Sequence, residues 1–590
     1  MNLSKKILLA VALLLAISLA ATGCSFPDAP EVTEAVTSEP TEEPTTAPTE
    51  PPHHWITGFL SAGNPEVAYS DETGTVLGAL TRGTRVKYEI TPQGRLSILL
   101  GETIVYPEDG AAVVADPAEV IPEHTLFVRT AVNLRDAEGR LLAAFAEKGT
   151  GVLVTGYDYL LADGSAHMYR VTILNPEPEE GAEAETEAEP EAEVEQEGYI
   201  PPWYLAATEA EALENYDSGS YEIHAGRGNR YGGGSADNLD YFPRDKGPID
   251  GNEMPEECRT LYLVNWRLEE VDAYLEIANN SGINAFVVDI VDGGSVGYAA
   301  DVMNACCPTG AAAANNTVEE YRAAIQKIKD AGYYVIGRIT TFNDSYYVQD
   351  HPEAAIANTS GSPLRLSGAY WPSPCSRQAW QYKVDLAVEA VELMGFNEIQ
   401  FDYVRFPDST YRYDKAGTID YRNVYGETKA QAVQRFLMYA TDVLHQHGAY
   451  VSADVYGESA YNYVTAYGQY WPAISNVVDV ISGMPYPDHF GASGNWRPWE
   501  HPYDTLFSWG QCVMQRQEET ATPATVRTWI QAYNAIREPY TTYGPNQVAA
   551  QIRALRDTGC TGGYMTWNAG SSLDKYAWLI PAFAPPEGES

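Results

Sequence analysis

The sequence of 590 residues is poor in basic side chains. It has 37 Lys and Arg against 81 Asp and Glu, so its formal net charge at pH 7 is −44. A nucleic-acid partner is therefore not expected, because binding to nucleic acid needs a basic face that neutralises phosphates. Much of the acidity lies in two tracts without Lys or Arg, residues 25–54 and 177–197. Such tracts are solvated linkers, so the net charge says little about an active site.

Cysteine is scarce as well. Seven are present and none forms a C-x-x-C pair, so a zinc site is not predicted. No cofactor and no other metal site is predicted, since no His lies near the ends of the predicted strands described below. Six cysteines follow Cys24, and they can form disulfides outside the cell, but their spacing does not assign pairs.

Long apolar runs are absent except for one near the N-terminus, from Ile7 to Ala21. Two lysines precede this run, and Gly23 stands before Cys24. The run is short for a stable membrane span, and the pattern is typical of a signal peptide. It resembles a bacterial lipoprotein signal, in which Cys24 becomes the lipidated first residue; ordinary secretion with an incidental cysteine is the alternative. We assign residues 1–24 to this signal and predict a lipid anchor on the extracytoplasmic face of the cell membrane.

The next part of the chain divides by composition. Residues 25–54 are rich in Pro, Thr and Glu and are predicted to be a disordered stalk. Residues 176–254 are predicted to be a second linker, first acidic and then rich in Gly. Between the linkers, residues 55–117 and 118–175 show short alternating strands separated by turns, which fit two small β-barrels.

The second of these units resembles bacterial SH3-like domains in the pattern VNLRD, LAAFAEKGTGVLVTG and YRVT, and the first unit is a weaker match. SH3-like domains occur widely in cell-wall enzymes. The resemblance therefore implies peptidoglycan as a binding partner. A spacer without a ligand is the alternative.

From residue 255 to residue 584, strand-like runs alternate with helix-like segments. The runs are TLYLVNW, INAFVVDIVD, YYVIGRITTF, EIQFDYVRF, YVSADVYG, VVDVISGMPY, VRTWIQAYN and GGYMTWNAG. Eight such repeats match the size and rhythm of a TIM barrel. A doubly wound sheet is the rival, but it should carry a Gly-rich phosphate loop after its first strand, which LYLVNWRLEE lacks. The predicted fold is therefore α/β, a (β/α)₈ barrel preceded by small all-β domains.

Acidic residues stand at the ends of two neighbouring predicted strands. Side chains alternate along a strand, so Glu398, Gln400 and Asp402 share one face of EIQFDY, opposite its apolar set. The same alternation points Asp454 inward from VSADVYG. Working residues of TIM barrels stand at the carboxyl ends of the strands. Two carboxylates there suit glycoside hydrolysis, in which one acid protonates the leaving oxygen and the other attacks the anomeric carbon or activates water.

Nine further residues near the strand ends are candidates for substrate binding. They are Asp289, Asp292, Arg338, Arg405, Tyr456, Tyr486, Gln531, Trp567 and Asn568. The aromatic rings can stack on sugars, and an arginine beside a carboxylate can keep it ionised by lowering its pKa. A lone Asp at a strand end often only caps a helix or pairs with an Arg, but several acids converging on one barrel face indicate a site.

The α/β region resembles the bacterial "putative glycosyl hydrolase domain" family, and the segments EIQFDYVRFPD, VSADVYG and YMTWNAG carry the resemblance. That family is similar in layout to barrel enzymes of the α-amylase type. The resemblance implies that Asp402 is the nucleophile and Asp454 the acid/base. Two positions depart from the amylase pattern, because Gln400 stands in place of an Arg and Asp454 in place of a Glu. Glu458 and Asp488 therefore remain alternatives for the acid/base.

These features predict a surface-anchored glycoside hydrolase that acts on a cell-wall or extracellular polysaccharide, with retention of configuration. The expected partners are the polysaccharide, peptidoglycan and the membrane. Two rivals remain: a barrel that binds glycan without cleaving it, and a wall-tethering protein whose SH3-like units carry the function. The second carboxylate separates hydrolysis from the first rival, because a site whose other acids point away from Asp402 lacks a proton donor.

Overall fold

A computed structural model gives the fold of the residues that can be described. These are residues 53–62, 66–101, 103–115, 120, 124–159, 161, 165–174, 196–213, 223–229, 231–408 and 410–583. The predicted signal, Cys24 and nearly all of the predicted stalk lie outside this set. The chain divides into two compact units, 1–54 and 55–590, and every element below belongs to the second.

The first part of this unit is an antiparallel sheet of seven short strands. They are β1 (Ile56–Ser61), β2 (Glu66–Ser70), β3 (Val76–Thr81), β4 (Arg85–Ile90), β5 (Leu96–Leu100), β6 (Thr103–Pro107) and β7 (Ala112–Val114). Their spatial order is β3-β2-β6-β5-β4-β1-β7. One buried residue from most strands forms a small core of Leu60, Val67, Val86, Ile98 and Val105, as the alternation of a half-buried sheet requires.

A second sheet of seven strands follows. They are β8 (His124–Val128), β9 (Val132–Arg135), β10 (Leu141–Ala146), β11 (Gly151–Tyr157), β12 (Tyr169–Ile173), β13 (Glu197–Ile200) and β14 (Leu205–Ala206), in the spatial order β10-β9-β13-β12-β11-β8-β14. The strand β13 pairs with both β12 and β9, so it lies inside the sheet. The sheet thus extends beyond residue 175, where the second β unit was predicted to end. That boundary was set too early because the acidic composition of the preceding tract obscures two short strands.

The remaining strands belong to the α/β region. They are β15 (Cys258–Leu263), β16 (Ala285–Asp292), β17 (Ser295–Val296), β18 (Tyr334–Thr340), β19 (Ala357–Asn358), β20 (Arg365–Leu366), β21 (Ala369–Tyr370), β22 (Glu398–Asp402), β23 (Ile419–Asp420), β24 (Tyr450–Tyr456), β25 (Val480–Met484), β26 (Thr525–Val526), β27 (Thr528–Gln531) and β28 (Gly563–Trp567). Nine of them form one parallel sheet in the order β26-β25-β24-β22-β18-β16-β15-β28-β27. The four short strands β19, β20, β21 and β23 form two small hairpin-like ladders outside it.

The two ends of the parallel sheet meet at Arg527. This residue separates β26, which pairs with β25, from β27, which pairs with β28. The Arg527 backbone N–H also donates to the carbonyl oxygen of Ile481 at 3.1 Å. The sheet is therefore a near-closed barrel of nine strands. The predicted α/β class, the all-β N-terminal region and the parallel barrel are confirmed.

Helices alternate with the barrel strands. The α-helices of the described residues are Glu209–Leu213, Val271–Asn279, Asp301–Cys306, Pro308–Ala311, Val318–Asp330, Ser345–Asp350, Arg377–Met394, Tyr411–Ala416, Lys429–Gln446, Trp471–Ser475, Pro502–Glu518, Pro545–Thr558 and Leu573–Leu579. Local sequence sets several ends: Thr428 forms a capping box with Gln431, and Gly395 ends the long helix before β22 in the left-handed conformation. None of the described helices is long and apolar enough to cross a membrane.

Alternation along the strands divides the barrel core into two layers. Ile399 and Phe401 on β22 pack into the large cluster formed with the surrounding helices. Tyr262, Trp529 and Met565 belong to a separate cluster inside the barrel. The polar residues of β22 share this inner face, because Gln400 approaches the Met565 sulfur at 3.3 Å. The predicted inward direction of the acids on this strand follows from the same alternation.

The stretch before the barrel is not a free linker. Arg227 forms two hydrogen bonds with Glu519, at 2.6 and 3.1 Å, and Asn252 donates to the carbonyl oxygens of Asn397 and Gly448 at 2.7 and 2.8 Å. Residues 223–252 were predicted to belong to the linker, and this assignment needs correction. Their Gly-rich sequence lacks a periodic pattern because the described part of the segment is mostly irregular chain packed against the barrel, with one short 3-10 helix at Ala236–Asn238.

The second sheet is also fixed to the barrel. Arg135 on β9 forms a buried ion pair with Asp442 at 2.6 Å, and the Tyr204 hydroxyl donates to the same carboxylate at 2.7 Å. Asp442 lies on the long helix Lys429–Gln446, which follows β22. A buried ion pair with an added hydrogen bond specifies one arrangement of the groups, so this all-β domain is an integral neighbour of the barrel.

Candidate active site

Arg338 is the centre of the candidate site. It lies on β18, is buried, and contacts acids from three other strands. Its Nη2 and Nε donate to Asp402 Oδ2 at 2.5 and 3.2 Å. Its Nη1 donates to Asp289 Oδ1 at 2.6 Å and to Asp292 Oδ1 at 3.2 Å, and its Nε lies 3.9 Å from Asp454 Oδ2. One guanidinium therefore brings together the two predicted catalytic acids and two of the predicted substrate-binding acids.

Asp454 is completely buried on β24, beside the strand that carries Asp402. The Trp529 Nε1–H donates to its Oδ1 at 2.7 Å, whereas its Oδ2 has no hydrogen-bond partner among the described residues. Burial, and next the charge on Asp402, raise the pKa of Asp454 well above its ordinary value, although Arg338 opposes this effect. Burial therefore favours the protonated form of Asp454, and Asp402 is the member of the pair that is ion-paired.

The two acids of β16 differ in exposure. Asp289 is buried, accepts a hydrogen bond from the Tyr262 hydroxyl, and has its pKa raised to about 7, mainly by burial. The side chain of Asp292 is 34% exposed. Asp289 therefore belongs to the floor that orients Arg338, while Asp292 lies at the mouth of the site.

The backbone turns sharply after Asp402. Tyr403 has a φ of +50°, in the left-handed region that large side chains rarely occupy. Its N–H donates to Asp402 Oδ1 at 2.5 Å, and its carbonyl oxygen accepts from the Arg405 N–H at 2.9 Å. Non-glycine residues held in this region cluster at active sites, where the surrounding structure fixes them. The turn thus fixes the second oxygen of the Asp402 carboxylate.

Arg405 lies apart from this cluster. It is buried, its guanidinium faces the rings of Tyr403, Tyr456 and Trp371 at 4.3 to 5.2 Å, and its Nη2 donates to the Tyr456 hydroxyl at 2.5 Å. Its acidic contact is Asp408, at 3.6 Å. Of the two arginines considered as partners for a catalytic carboxylate, the structure thus places Arg338 and not Arg405 against Asp402.

Aromatic side chains line the inside of the barrel beside Arg338. Trp567 packs 4.7 Å from Tyr262 and lies perpendicular to Trp529 at 5.5 Å, and the Arg338 guanidinium is 5.3 Å from the Trp567 ring. Trp529 and Tyr486 are buried, while Trp567 is partly exposed. Trp567 is therefore the ring of this group that is open to a sugar.

The alternative acids are engaged elsewhere. Asp488 is buried and accepts hydrogen bonds from the Tyr533 hydroxyl at 2.8 Å, from the Ile536 N–H at 3.1 Å and from Gln531 at 3.3 Å. Glu458 accepts from two tyrosine hydroxyls, one on each oxygen. Gln531, predicted to bind substrate, therefore holds Asp488. Of the three candidates for the acid/base, Asp454 is the one whose carboxyl oxygen lacks a partner.

Asn568 follows β28 and is largely buried. Its backbone carbonyl accepts from the Ser571 N–H at 2.7 Å, and its side-chain Nδ2 has no partner among the described residues. An unpaired buried amide is costly, so this donor is available for a bound hydroxyl or carbonyl group. The geometry keeps Asn568 as a candidate for substrate binding.

Two further residues belong to the site. Tyr262, which was not predicted as a site residue, is hydrogen-bonded to Asp289, and Trp529, which was predicted only as one of several rings able to stack on sugars, is hydrogen-bonded to Asp454. Alternation along β27 carries the signal for Trp529, because it shares a face with Gln531. Tyr262 gives no such signal, since a lone tyrosine in an apolar strand is ordinary packing.

Structures similar to this chain include a hypothetical protein from Ruminiclostridium thermocellum, which is 33% identical over 33% of this chain and 97% of its own, with a TM-score of 0.28. The glycoside hydrolase domain of PgaB (BpsB) from Bordetella bronchiseptica is 14% identical over 56% of this chain and 99% of its own, with a TM-score of 0.41. A chitobiase from Flavobacterium johnsoniae is 13% identical over 56% of this chain and 48% of its own, with a TM-score of 0.37. None of the curated proteins matches the chain.

A family model matches residues 260–573, from the first barrel strand to the last helix. It covers the acid cluster around Arg338, including Asp402 and Asp454. The match confirms the predicted resemblance and the predicted class of enzyme, a glycoside hydrolase. Over more than half of its length, this chain belongs to the family described as "putative glycosyl hydrolase domain".

Proposed function

We propose that this protein is a surface-anchored glycoside hydrolase that cleaves a cell-wall or extracellular polysaccharide with two carboxylates, Asp402 and Asp454. The observation that carries the proposal is their contrast beside one arginine: Asp402 is ion-paired with Arg338 at 2.5 Å, whereas Asp454 is buried with its pKa raised. A catalytic acid and its partner are recognised when two neighbouring carboxyl groups lie in different environments, here one ion-paired and the other buried. The (β/α)₈ interpretation counts the two strands that flank Arg527 as one and puts both acids at the carboxyl ends of their strands.

The proposed reaction has two steps. Asp402 attacks the anomeric carbon while Asp454 gives its proton to the leaving glycosidic oxygen, so that the first product departs and a glycosyl ester forms on Asp402. Asp454, now ionised, takes a proton from water, and the resulting nucleophile opens the ester and frees Asp402. Arg338 keeps Asp402 oriented in both steps, and Trp567 offers a ring to the sugar.

The spacing of the two acids favours retention of configuration. Asp402 Oδ2 and Asp454 Oδ2 lie 3.2 and 3.9 Å from the same Arg338 Nε. These contacts limit the separation of the two oxygens to at most about 7 Å, below most of the range that inverting enzymes need to admit a water.

The location and the wall partner belong to the proposal as well. The lipid anchor at Cys24 rests on the signal pattern, which lies outside the described residues. The role in binding peptidoglycan rests on the SH3-like sequence pattern and on the small all-β form of the two N-terminal sheets. A lipoprotein with wall-binding modules would keep the barrel near glycan, which fits the substrate class proposed here.

The test is release of new reducing ends from a panel of bacterial wall and capsular polysaccharides. The full chain is compared with Asp402→Asn and with Asp272→Asn, a matched control on an exposed helix position. We expect release by the parent and the control and none by Asp402→Asn, with all three folded by circular dichroism. Equal release by Asp402→Asn would contradict the proposed nucleophile. Binding without release by the parent would support the rival, a glycan-binding barrel, which the complete burial of Asp454 also fits.

A further inference from the structure

The exposed aromatic side chains of the barrel are concentrated at one end. Among the described residues of the barrel, eight tyrosines and tryptophans are at least 36% exposed. Seven of them lie between the end of a barrel strand and the main helix that follows, namely Trp266, Tyr370, Tyr411, Tyr413, Tyr461, Trp496 and Tyr540. Those connections surround the carboxyl ends of the strands, where Asp402 and Asp454 lie. Rings exposed in water are suited to stacking on sugars.

One further aromatic residue at this end comes from outside the family domain. Tyr231 belongs to the Gly-rich segment before the barrel, and its ring lies 5.1 Å from that of Tyr411, at an angle of 54°. The two rings are 39% and 37% exposed. Tyr411 follows the strand that ends in Asp402. The pair therefore presents an open aromatic surface on the same end of the barrel as the acids.

The Gly-rich segment is built to approach the barrel closely. A Cβ on Gly233 would lie 1.8 Å from the Thr465 carbonyl oxygen, and the Ala430 N–H donates to the Gly233 carbonyl oxygen at 3.1 Å. Gly234 has a φ of +107° and lies against Thr428. Thr428 and Thr465 belong to the connections after β22 and β24, the strands that carry Asp402 and Asp454. Only glycine fits at Gly233 and Gly234. The glycines that make this segment resemble a linker are therefore required by its close contact with the barrel.

A cleft adjoins the segments that carry the two rings, since Gly232 follows Tyr231 and Asp414 belongs to the helix of Tyr411. It has a volume of about 480 Å³ and is lined by the Gly-rich segment and by Asp414, Tyr421, Glu427, Thr428 and Lys429. The Asp414 carboxylate is 30% exposed and accepts from Lys429 Nζ at 2.9 Å. Asn229 Oδ1 accepts from the Tyr231 N–H at 2.7 Å, and this bond fixes the backbone of Tyr231. Polar groups with a nearby ring are what a sugar needs, since hydroxyls bind the polar groups while the ring face stacks.

We propose that Tyr231 and Tyr411, with this cleft, form a subsite for a polymeric glycan that continues beyond the catalytic acids. The proposal rests on the proposed hydrolase function and names its substrate as a long chain of uncharged sugar units. A polyanion fits less well, because Asp414 faces the cleft and three acids besides Asp402 surround the single Arg338. The Gly-rich segment, which lies outside the family domain, thereby lets the barrel prefer long glycan chains over short ones.

The experiment is affinity electrophoresis of the full chain in native gels that contain glycol chitin, hydroxyethyl cellulose or dextran. The variants are Tyr231→Ala, Tyr411→Ala and Tyr231→Phe, with Trp578→Ala as a control at an exposed ring on the last helix of the barrel, away from the carboxyl ends of the strands. We expect at least one polymer to retard the parent, the control and Tyr231→Phe. Each alanine variant of the pair should weaken apparent binding by about tenfold, the effect of one lost stacking contact.

Equal retardation of parent and alanine variants, or no retardation of the parent by any of the three polymers, would overturn the subsite. Its failure is separable from failure of the hydrolase proposal, which is read from reducing ends in the same preparations. If the parent releases reducing ends and the alanine variants are retarded as much as the parent, the subsite is wrong and the hydrolase proposal stands. Retardation that depends on Tyr231, without release, would keep the subsite and remove the hydrolase.

Discussion

The two ends of β22 carry the same pair of charges in very different surroundings. Glu398 begins the strand and Asp402 ends it, and each is bound by an arginine inside the barrel. Glu398 accepts from Arg527 Nη1 at 2.8 and 2.9 Å and from the Tyr334 hydroxyl at 3.1 Å. Both oxygens are occupied and the residue is completely buried. At this end of the barrel one carboxylate faces one arginine, and the Arg527 Nε and Nη2 have no hydrogen-bond partner among the described residues.

At the other end, one arginine faces four acids. Arg338 contacts Asp289, Asp292 and Asp402 and approaches Asp454, so a single positive charge serves all of them. One oxygen of Asp454 has no partner among the described residues. An excess of carboxyl groups is costly, because like charges in low dielectric repel, and sites that keep such an excess are candidates for a functional role. The comparison shows that at the structural end one carboxylate matches one arginine and has both oxygens bound, while at the other end the acids outnumber the arginine and one carboxyl oxygen is free.

The largest effect should follow from Asp402→Asn. If the carboxyl end of β22 is the reacting end, removing the nucleophile should lower kcat/KM by roughly 10⁴-fold or more, as loss of other enzymatic nucleophiles does. The measurement is the rate of reducing-end release on the best polysaccharide of the panel. An isosteric amide should leave the melting temperature within a few degrees of the parent value. A variant with near-parental rates would show that the imbalance around Arg338 has no catalytic meaning.

The next effect concerns the proton donor. Asp454→Asn should lower kcat/KM on a polysaccharide by roughly 10²–10⁴-fold, the usual contribution of a general acid. Because burial and Asp402 raise the pKa of Asp454, the parent should stay active at pH values where an ordinary Asp is ionised, and lose activity as the pH rises through that raised value. This alkaline decline should disappear in Asp454→Asn. A nitrophenyl glycoside, whose leaving group needs little protonation, should be affected less than the polysaccharide.

Asp292→Asn is the matched comparison for the proton donor. Asp292 is more exposed than Asp454 and shares the same arginine. If its replacement abolished the alkaline decline while Asp454→Asn kept it, the acid/base role would move to Asp292. The comparison between the strand ends would survive that outcome, since the donor would still belong to the unbalanced end.

The site contains features that the sequence predicts and features that it does not. The direction of Asp402 and Asp454 follows from alternation along a strand, a local property, and the barrel follows from repeated β/α segments. The partner of Asp402 does not follow locally. Arg338 and Arg405 are both near strand ends, and only packing puts the first on Asp402 and the second among tyrosine and tryptophan rings.

The Gly-rich stretch shows the opposite limit. Its composition indicates a linker, because Gly gives no periodic apolar pattern. In the fold the same residues allow backbone contact with the barrel, as at Gly233 against Thr465. A lack of pattern in sequence therefore does not distinguish a free chain from one fixed by its neighbours.

The third prediction tests the balanced end. Glu398→Gln removes one charge of a completely buried pair and leaves Arg527 uncompensated. We expect the free energy of unfolding to fall by about 3–5 kcal/mol, measured by urea denaturation, with the rate per folded molecule close to that of the parent. A strong loss of rate in a fully folded Glu398→Gln would contradict the division into a structural and a reacting end.

The smallest effect concerns the backbone conformation at the carboxyl end of β22, compared with that inside the strand. Tyr403 stands just after Asp402 with a φ of +50°, where alanine is strained by about 1–2 kcal/mol and glycine is not. Tyr403→Gly should therefore be more stable than Tyr403→Ala, although both lose the ring. Within the strand, Ile399→Gly should be less stable than Ile399→Ala by about 0.5–1 kcal/mol, the ordinary cost of glycine. Urea denaturation of the four variants measures both differences, and the same order at both positions would show that the turn after Asp402 stores no strain.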